Sequence, residues 1–204
     1  MAGNNYHHGD LKSALLKAAH EVIAEQGADA VSLRGIAAAA GVSHMAPYAH
    51  FKNKQTLLQA VAASGFRGLA EQLSQVKDEA LSAREQVLLY GAEYVEYALA
   101  HPNLYRLMIN QMHQVIESAA KDDGELDLAD ASKQPYVLLR DGFLRSTVDQ
   151  NKQQVRINAQ GAWAMVHGLS LLIIDGHIRI PDGMDTKTYL AMAAVQDRSV
   201  TGPS

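Results

Sequence analysis

Apolar residues recur every three or four positions along almost the whole chain, and no stretch alternates apolar and polar residues as a half-buried strand does. That period admits helices and little else, so the expected fold class is all-α. Leu11, Leu15, Ala18, Val22 and Ile23 form one stripe, opened by Asp10 and closed by Gly27. Ser32 is placed to cap a short helix whose inward residues are Leu33, Ile36, Ala37 and Ala40, ended by Gly41. Ser43 is placed to cap another, running to about Phe51. Asn53 then opens a long helix carrying Leu57, Leu58, Val61, Gly65, Leu69, Leu73 and Val76. Further helices are expected over 84–100, in a short piece through Tyr105 and Met108 after the break at His101-Pro102, up to 149, over 152–175 and over 186–195. The acidic stretch 122–130 reads as a loop, Pro135 as a break or restart, and residues 199–204 as a loose tail.

The 204 residues are 48 % apolar, enough to build a sizeable core and too many for a disordered chain. With no cysteine, disulfides, thiolate chemistry and zinc fingers are excluded. The first residues lack the apolar centre of a signal peptide. The longest apolar run, Ala162–Ile174, is interrupted by His167, Gly168 and Ser170, and reads as too short for a bilayer core of about 30 Å. The expectation is a cytoplasmic protein with no membrane partner. The net charge of −4 announces no polyanionic partner, but its distribution is uneven. Residues 1–70 hold six Lys/Arg against four Asp/Glu, and no carboxylate lies between Asp29 and Glu71. Arg34, Lys52, Lys54 and Arg67 fall inside that gap, where an acidic side chain would repel phosphate. Chance in an alanine-rich region is the competing explanation.

The segment from Ser32 to Phe51 carries the clearest motif. Two short helical stretches are joined by Gly41-Val42-Ser43. Glycine supplies a left-handed backbone to end the first, Val42 can plug the corner, and Ser43 can restart the chain. This is the layout of a helix-turn-helix, whose second helix can enter a major groove. Lys52-Asn53-Lys54 follows directly and puts cations beside a helix N-terminus, a suitable phosphate clamp.

Several separated elements agree in order and spacing with one family. They are Tyr6-His7-His8-Gly9-Asp10-Leu11, Val31-Ser32-Leu33-Arg34-Gly35-Ile36-Ala37, Gly41-Val42-Ser43, and Pro47-Tyr48-Ala49-His50-Phe51-Lys52-Asn53-Lys54-Gln55-Thr56-Leu57-Leu58. This first quarter of the chain resembles the DNA-binding domain of the tetracycline-repressor (TetR) family. Trp163-Ala164-Met165-Val166-His167-Gly168 resembles the Trp-His-Gly signature of one subgroup. The resemblance implies about nine helices: a three-helix helix-turn-helix domain over 1–54, and a helical effector-binding and dimerising domain over 55–204. It places Ser32, Ser43, Tyr48, His50 and Lys54 at phosphates, and Arg34, His44, Met45 and Ala46 at base edges. Met45 and Ala46 offer only apolar contact, so direct readout would rest on Arg34 and His44. The implied function is a regulator, a repressor in the usual case, that binds double-stranded operator DNA as a homodimer and is released by a small apolar or amphipathic effector.

Each of these residues has a plainer role to set beside the functional one. Tyr48 could be a core aromatic, His50 beside Phe51 could only pack and cap, and Lys54 could be a solvated lysine, although it sits badly with the helix dipole unless an anion compensates. His7 and His8 have no third ligand nearby and suit a mobile arm better than a metal site. In the larger domain Tyr90, Tyr94 and Tyr97 share one helix face, Tyr105, Met108 and Met112 a second, and Trp163 and His167 a third. Together they are candidates for an apolar pocket with polar tips, against ordinary core packing. The helix over 152–175 turns apolar nearly all round, with Gly161, Ala162 and Ala164 permitting close approach by a symmetry mate. The alternative function is a helical small-molecule-binding protein or enzyme without DNA binding. No His-Glu-x-x-His, phosphate-binding glycine loop or Gly-x-Ser-x-Gly is present, so no catalytic residue, cofactor or metal is assigned.

Overall fold

The computed structural model describes residues 8–117, 123–145 and 152–193. Among these every regular element is helical. The α-helices are α1 (His8–Gln26), α2 (Leu33–Ala39), α3 (Lys54–Gln75), α4 (Ala83–Ala100), α5 (Pro102–Glu117), α6 (Asp123–Arg145), α7 (Lys152–Ile174) and α8 (Thr186–Ala193). Two short 3₁₀ segments, Ala28–Ala30 and Ala46–Ala49, complete them. His7 and the 199–204 tail lie outside the described residues.

The chain folds as two compact units. The first is built from residues up to Gly68 together with His101–Gln134, the second from Leu69–Ala100 together with the chain from Pro135 onward. In the first, Leu15, Ala18, Ala19 and Ile23 of α1, Leu33, Ile36 and Ala37 of α2, and Leu57, Val61 and Ala62 of α3 are buried. α5 lies against α3 so closely that a Cβ on Gly65 would come 2.7 Å from Met108 Sδ. In the second unit, α4 is flanked by α6, α7 and α8. A Cβ on Gly91 would meet Leu190 and Val166, and one on Gly142 would meet Val87 and Tyr90.

The local signals behave as their chemistry requires. Ser32 Oγ accepts from Gly35 N at 3.1 Å, and Asn53 Oδ1 from Thr56 N at 3.0 Å. Ser82 and Glu85 form a reciprocal box at the start of α4: Ser82 N donates to the carboxylate at 3.0 Å and Glu85 N to Ser82 Oγ at 3.3 Å. Pro102 opens α5, where its missing N–H is no loss.

Three expectations fail. The stretch 122–130 is no loop where described: α6 begins at Asp123, with Asp123 and Glu125 in its first turn, where carboxylates favour the helix dipole. Buried Leu128, Ala131 and Leu139 continue one stripe along it. Pro135 lies inside that helix, because burial on both sides of it outweighs a cost of about 3 kcal/mol for the lost bond and ring clash. The third concerns the segment after Ser43, described below. α5 is also longer than expected, at 16 residues.

α7 is 23 residues long and, taken whole rather than over the run Ala162–Ile174 alone, apolar enough by length and composition to cross a membrane, a test that the core helix of a soluble protein also passes. Only 22 % of its apolar window is buried. Val155, Ala159, Val166, Leu169 and Ser170 face inward. The opposite stripe is Ile157, Gly161, Ala164, Gly168 and Leu172, with Ile157 50 % and Leu172 41 % exposed.

Candidate nucleic-acid interface

The helix-turn-helix is built from α2 outward. Leu33, Ile36 and Ala37 pin α2 to the core, which leaves Ser32 and Arg34 exposed on its outer side. Gly41 ends α2 at φ +67°, a backbone conformation that suits glycine. Gly41 N donates to Ala38 O and Val42 N to Ala37 O, which satisfies carbonyls the helix would otherwise orphan.

The next segment is not the α-helix expected from a cap at Ser43. Ser43 contributes its backbone carbonyl, which accepts from Ala46 N at 2.9 Å, and the helical turns that follow are 3₁₀ over Ala46–Ala49. Pro47 occupies the first positions of that helix, where it forfeits no internal bond, and it is buried. Its carbonyl accepts from both His50 N and Phe51 N, and buried Phe51 anchors the end of the segment. The result is a short rigid unit held from one side.

Its other side faces outward. Ser43 and His44 are exposed, Met45 is 71 % exposed and Tyr48 47 %. Tyr48 is therefore no core aromatic. Ala46 and His50 are half-buried, and the His50 ring lies 6.3 Å from that of Phe51, tilted by 59°. Lys52 and Asn53 are exposed, and Lys54 begins α3. Lys54 Nζ donates to the Asp29 carbonyl oxygen at 2.9 Å. That contact changes the expectation that an external anion alone compensates this cation: a backbone carbonyl already does so in part. Neither His44 nor Lys54 is enclosed by the chain, and all nine candidate residues lie on this one unit.

The effector candidates divide between the units. Tyr105 and Met108 are fully buried in the first, and Met112 is half-buried. Tyr90, Tyr94 and Tyr97 are buried along one face of α4 in the second. Burial pushes the Tyr97 phenol up to about 12 and raises Tyr90 as well. Trp163 and His167 have their rings 5.5 Å apart, and the ring of Tyr136 meets Trp163 edge-on at 6.3 Å. Sequence reasoning missed Tyr136, because it read Pro135 as a break rather than as part of the helix that carries both residues to α7.

Comparison with known proteins now decides the family. Residues 15–61 match the family described as Bacterial regulatory proteins, tetR family, and residues 87–195 match the Tetracyclin repressor-like C-terminal domain. The chain belongs to the TetR family. The second match includes Trp163–Gly168 without distinguishing the Trp-His-Gly subgroup. None of the curated proteins compared matches significantly. Among solved structures, a protein of unknown function from Rhodococcus sp. RHA1 is 32 % identical, covering 93 % of this chain and 94 % of that one, with a TM-score of 0.74. FadR from Bacillus subtilis in complex with stearoyl-CoA is 17 % identical, over 88 % and 94 %, with a TM-score of 0.64. AibR in complex with isovaleryl coenzyme A and operator DNA is 20 % identical, over 90 % and 95 %, with a TM-score of 0.59. The last two share the fold. The chain is thus a TetR-family DNA-binding regulator.

Proposed function

We propose that the chain is a cytoplasmic repressor that binds a palindromic operator as a homodimer and is released by a small apolar or amphipathic effector. One observation carries the DNA side. A short unit, held rigid through Pro47 and Phe51, presents His44, Met45 and Tyr48 outward beside Lys52 and Lys54. An apolar Met45 left 71 % exposed at the tip of such a unit suits thymine-methyl contact, Arg34 and His44 suit base edges, and Ser32, Ser43, Tyr48, His50 and Lys54 suit phosphates.

The second copy is expected on α7. Its open stripe is apolar at both ends and small in the middle, and Gly161 and Gly168 have open space where a Cβ would stand. Val137 and Leu144 of α6 are exposed too. A helix this apolar and this open needs a partner, and a two-fold mate also supplies the second recognition unit. The two units would then meet successive major grooves about 34–36 Å apart.

Release is a two-state equilibrium in which an effector favours the arrangement that no longer fits that spacing. The presence of acyl-CoA in FadR and AibR, and of operator DNA in AibR, supports this reading. Selecting bound duplexes from a random pool tests it: a palindrome occupied by two chains is the expected product. An asymmetric site bound by one chain, or no enrichment, removes the reading.

A further inference from the structure

We propose that Tyr136, with Trp163 and His167 beside it, receives a neutral small molecule carrying a carbonyl or hydroxyl oxygen on an apolar body, and that the Tyr136 hydroxyl donates to that oxygen. This deepens the effector reading and rests on it.

The starting point is an unmet group. Tyr136 Oη is buried and has no hydrogen-bond partner. A phenol removed from water without a partner is costly, and native chains keep few such groups without a use for them. Tyr136 is held there all the same: it lies on α6 between buried Pro135 and Leu139, and its ring meets Trp163 edge-on at 6.3 Å. The Trp163 and His167 rings, 5.5 Å apart and inclined by 31°, continue the surface. A hydrogen-bonding hook beside aromatic faces is the composition of a small-molecule site, mostly apolar with a few orienting polar groups.

Charge narrows the ligand class. The cations of α6 one turn to either side, Lys133 and Arg140, are engaged by Asp130 and Asp141 at 3.0 and 2.8 Å. The group left unmet is itself an uncharged phenol, and a neutral oxygen needs only that donor. A phenol donates more readily than it accepts, so the matching ligand atom is an acceptor, as in a ketone, ester, thioester or alcohol.

Trp163 is the chain's one tryptophan, so its emission reports directly on this place. Two measurements on the full chain test the proposal. In the ligand-free protein, Tyr136→Phe removes an unmet group and raises Tm by about 2 °C or more. A fall in Tm means that the hydroxyl has an internal or water partner, and overturns the proposal. In the second, octan-2-one and octane are titrated against Trp163 emission. The ketone gives a saturable change, weakened about fivefold or more in Tyr136→Phe, as loss of one hydrogen bond requires, while octane is unaffected by the substitution. No saturable change with the ketone, or equal weakening of both probes, overturns it. Operator binding by the unaltered chain is measured separately: its absence removes the regulator reading while the ketone result at Trp163 stands.

Discussion

Lys54→Ala should flatten the salt dependence of operator binding. Each phosphate neutralised by a cation contributes about 0.9 to the slope of log affinity against log salt. A homodimer presents Lys54 twice, so the slope should fall by about 1.8 per duplex. Between 50 and 200 mM salt, that part of the slope is worth about a twelvefold loss of affinity, which the variant should not show. Lys54 also donates to the Asp29 carbonyl, so the variant loses an exposed hydrogen bond, worth on the order of 0.5–1.5 kcal/mol of stability. Denaturant unfolding measures that loss apart from binding. Lys54→Arg keeps the charge and should keep the slope. Fluorescence anisotropy with the selected duplex over a salt series is the assay, with Lys187→Ala on α8 as the control. A Lys54→Ala slope equal to the parent's would refute phosphate contact at this position.

Two further outcomes follow from the second-copy surface and from a buried imidazole. Gly161 is exposed and a Cβ there meets nothing within 4 Å in its own chain, so Gly161→Arg should keep the helical circular dichroism, sediment as a monomer and lose operator binding; a dimer that persists would remove α7 as the interface. His20 has its affinity for a proton lowered, first by burial and then by His101, and its Nε2 lies 3.3 Å from Ser64 Oγ. The unfolded chain therefore takes up this proton first. Its contribution to stability is complete above the ordinary histidine value of 6.5 and is lost as pH falls from there through the lower folded pKa. Chemical denaturation across that range should show the loss in the parent and less of it in His20→Gln; identical pH profiles would contradict the assignment.

Much of this architecture was legible because its signals are local. Ser32 and Asn53 cap through their own side chains to nitrogens three residues on, and Gly41 takes the left-handed backbone its place after α2 required. Signals failed where tertiary burial outvoted them. The carboxylates of 123–130 resemble a solvated loop, yet Leu128 and Ala131 are buried at helical spacing and hold the segment as helix. The serine at 43 resembled a cap, but Pro47 and Phe51 anchor a tighter 3₁₀ turn that starts later. Other features leave no sequence trace. The partner of Lys54 is a backbone carbonyl 25 residues away, and the isolation of the Tyr136 hydroxyl depends on everything around it.

The placement of residue 45 in a groove can be read directly, because the chain has no cysteine to compete for a thiol reagent. Met45→Cys, labelled with a DNA-cleaving iron chelate and bound to its selected duplex, should cut at two major-groove positions one helical turn apart, related by a two-fold axis. Cleavage at a single place, or scattered evenly along the duplex, would contradict a paired recognition unit centred on this segment.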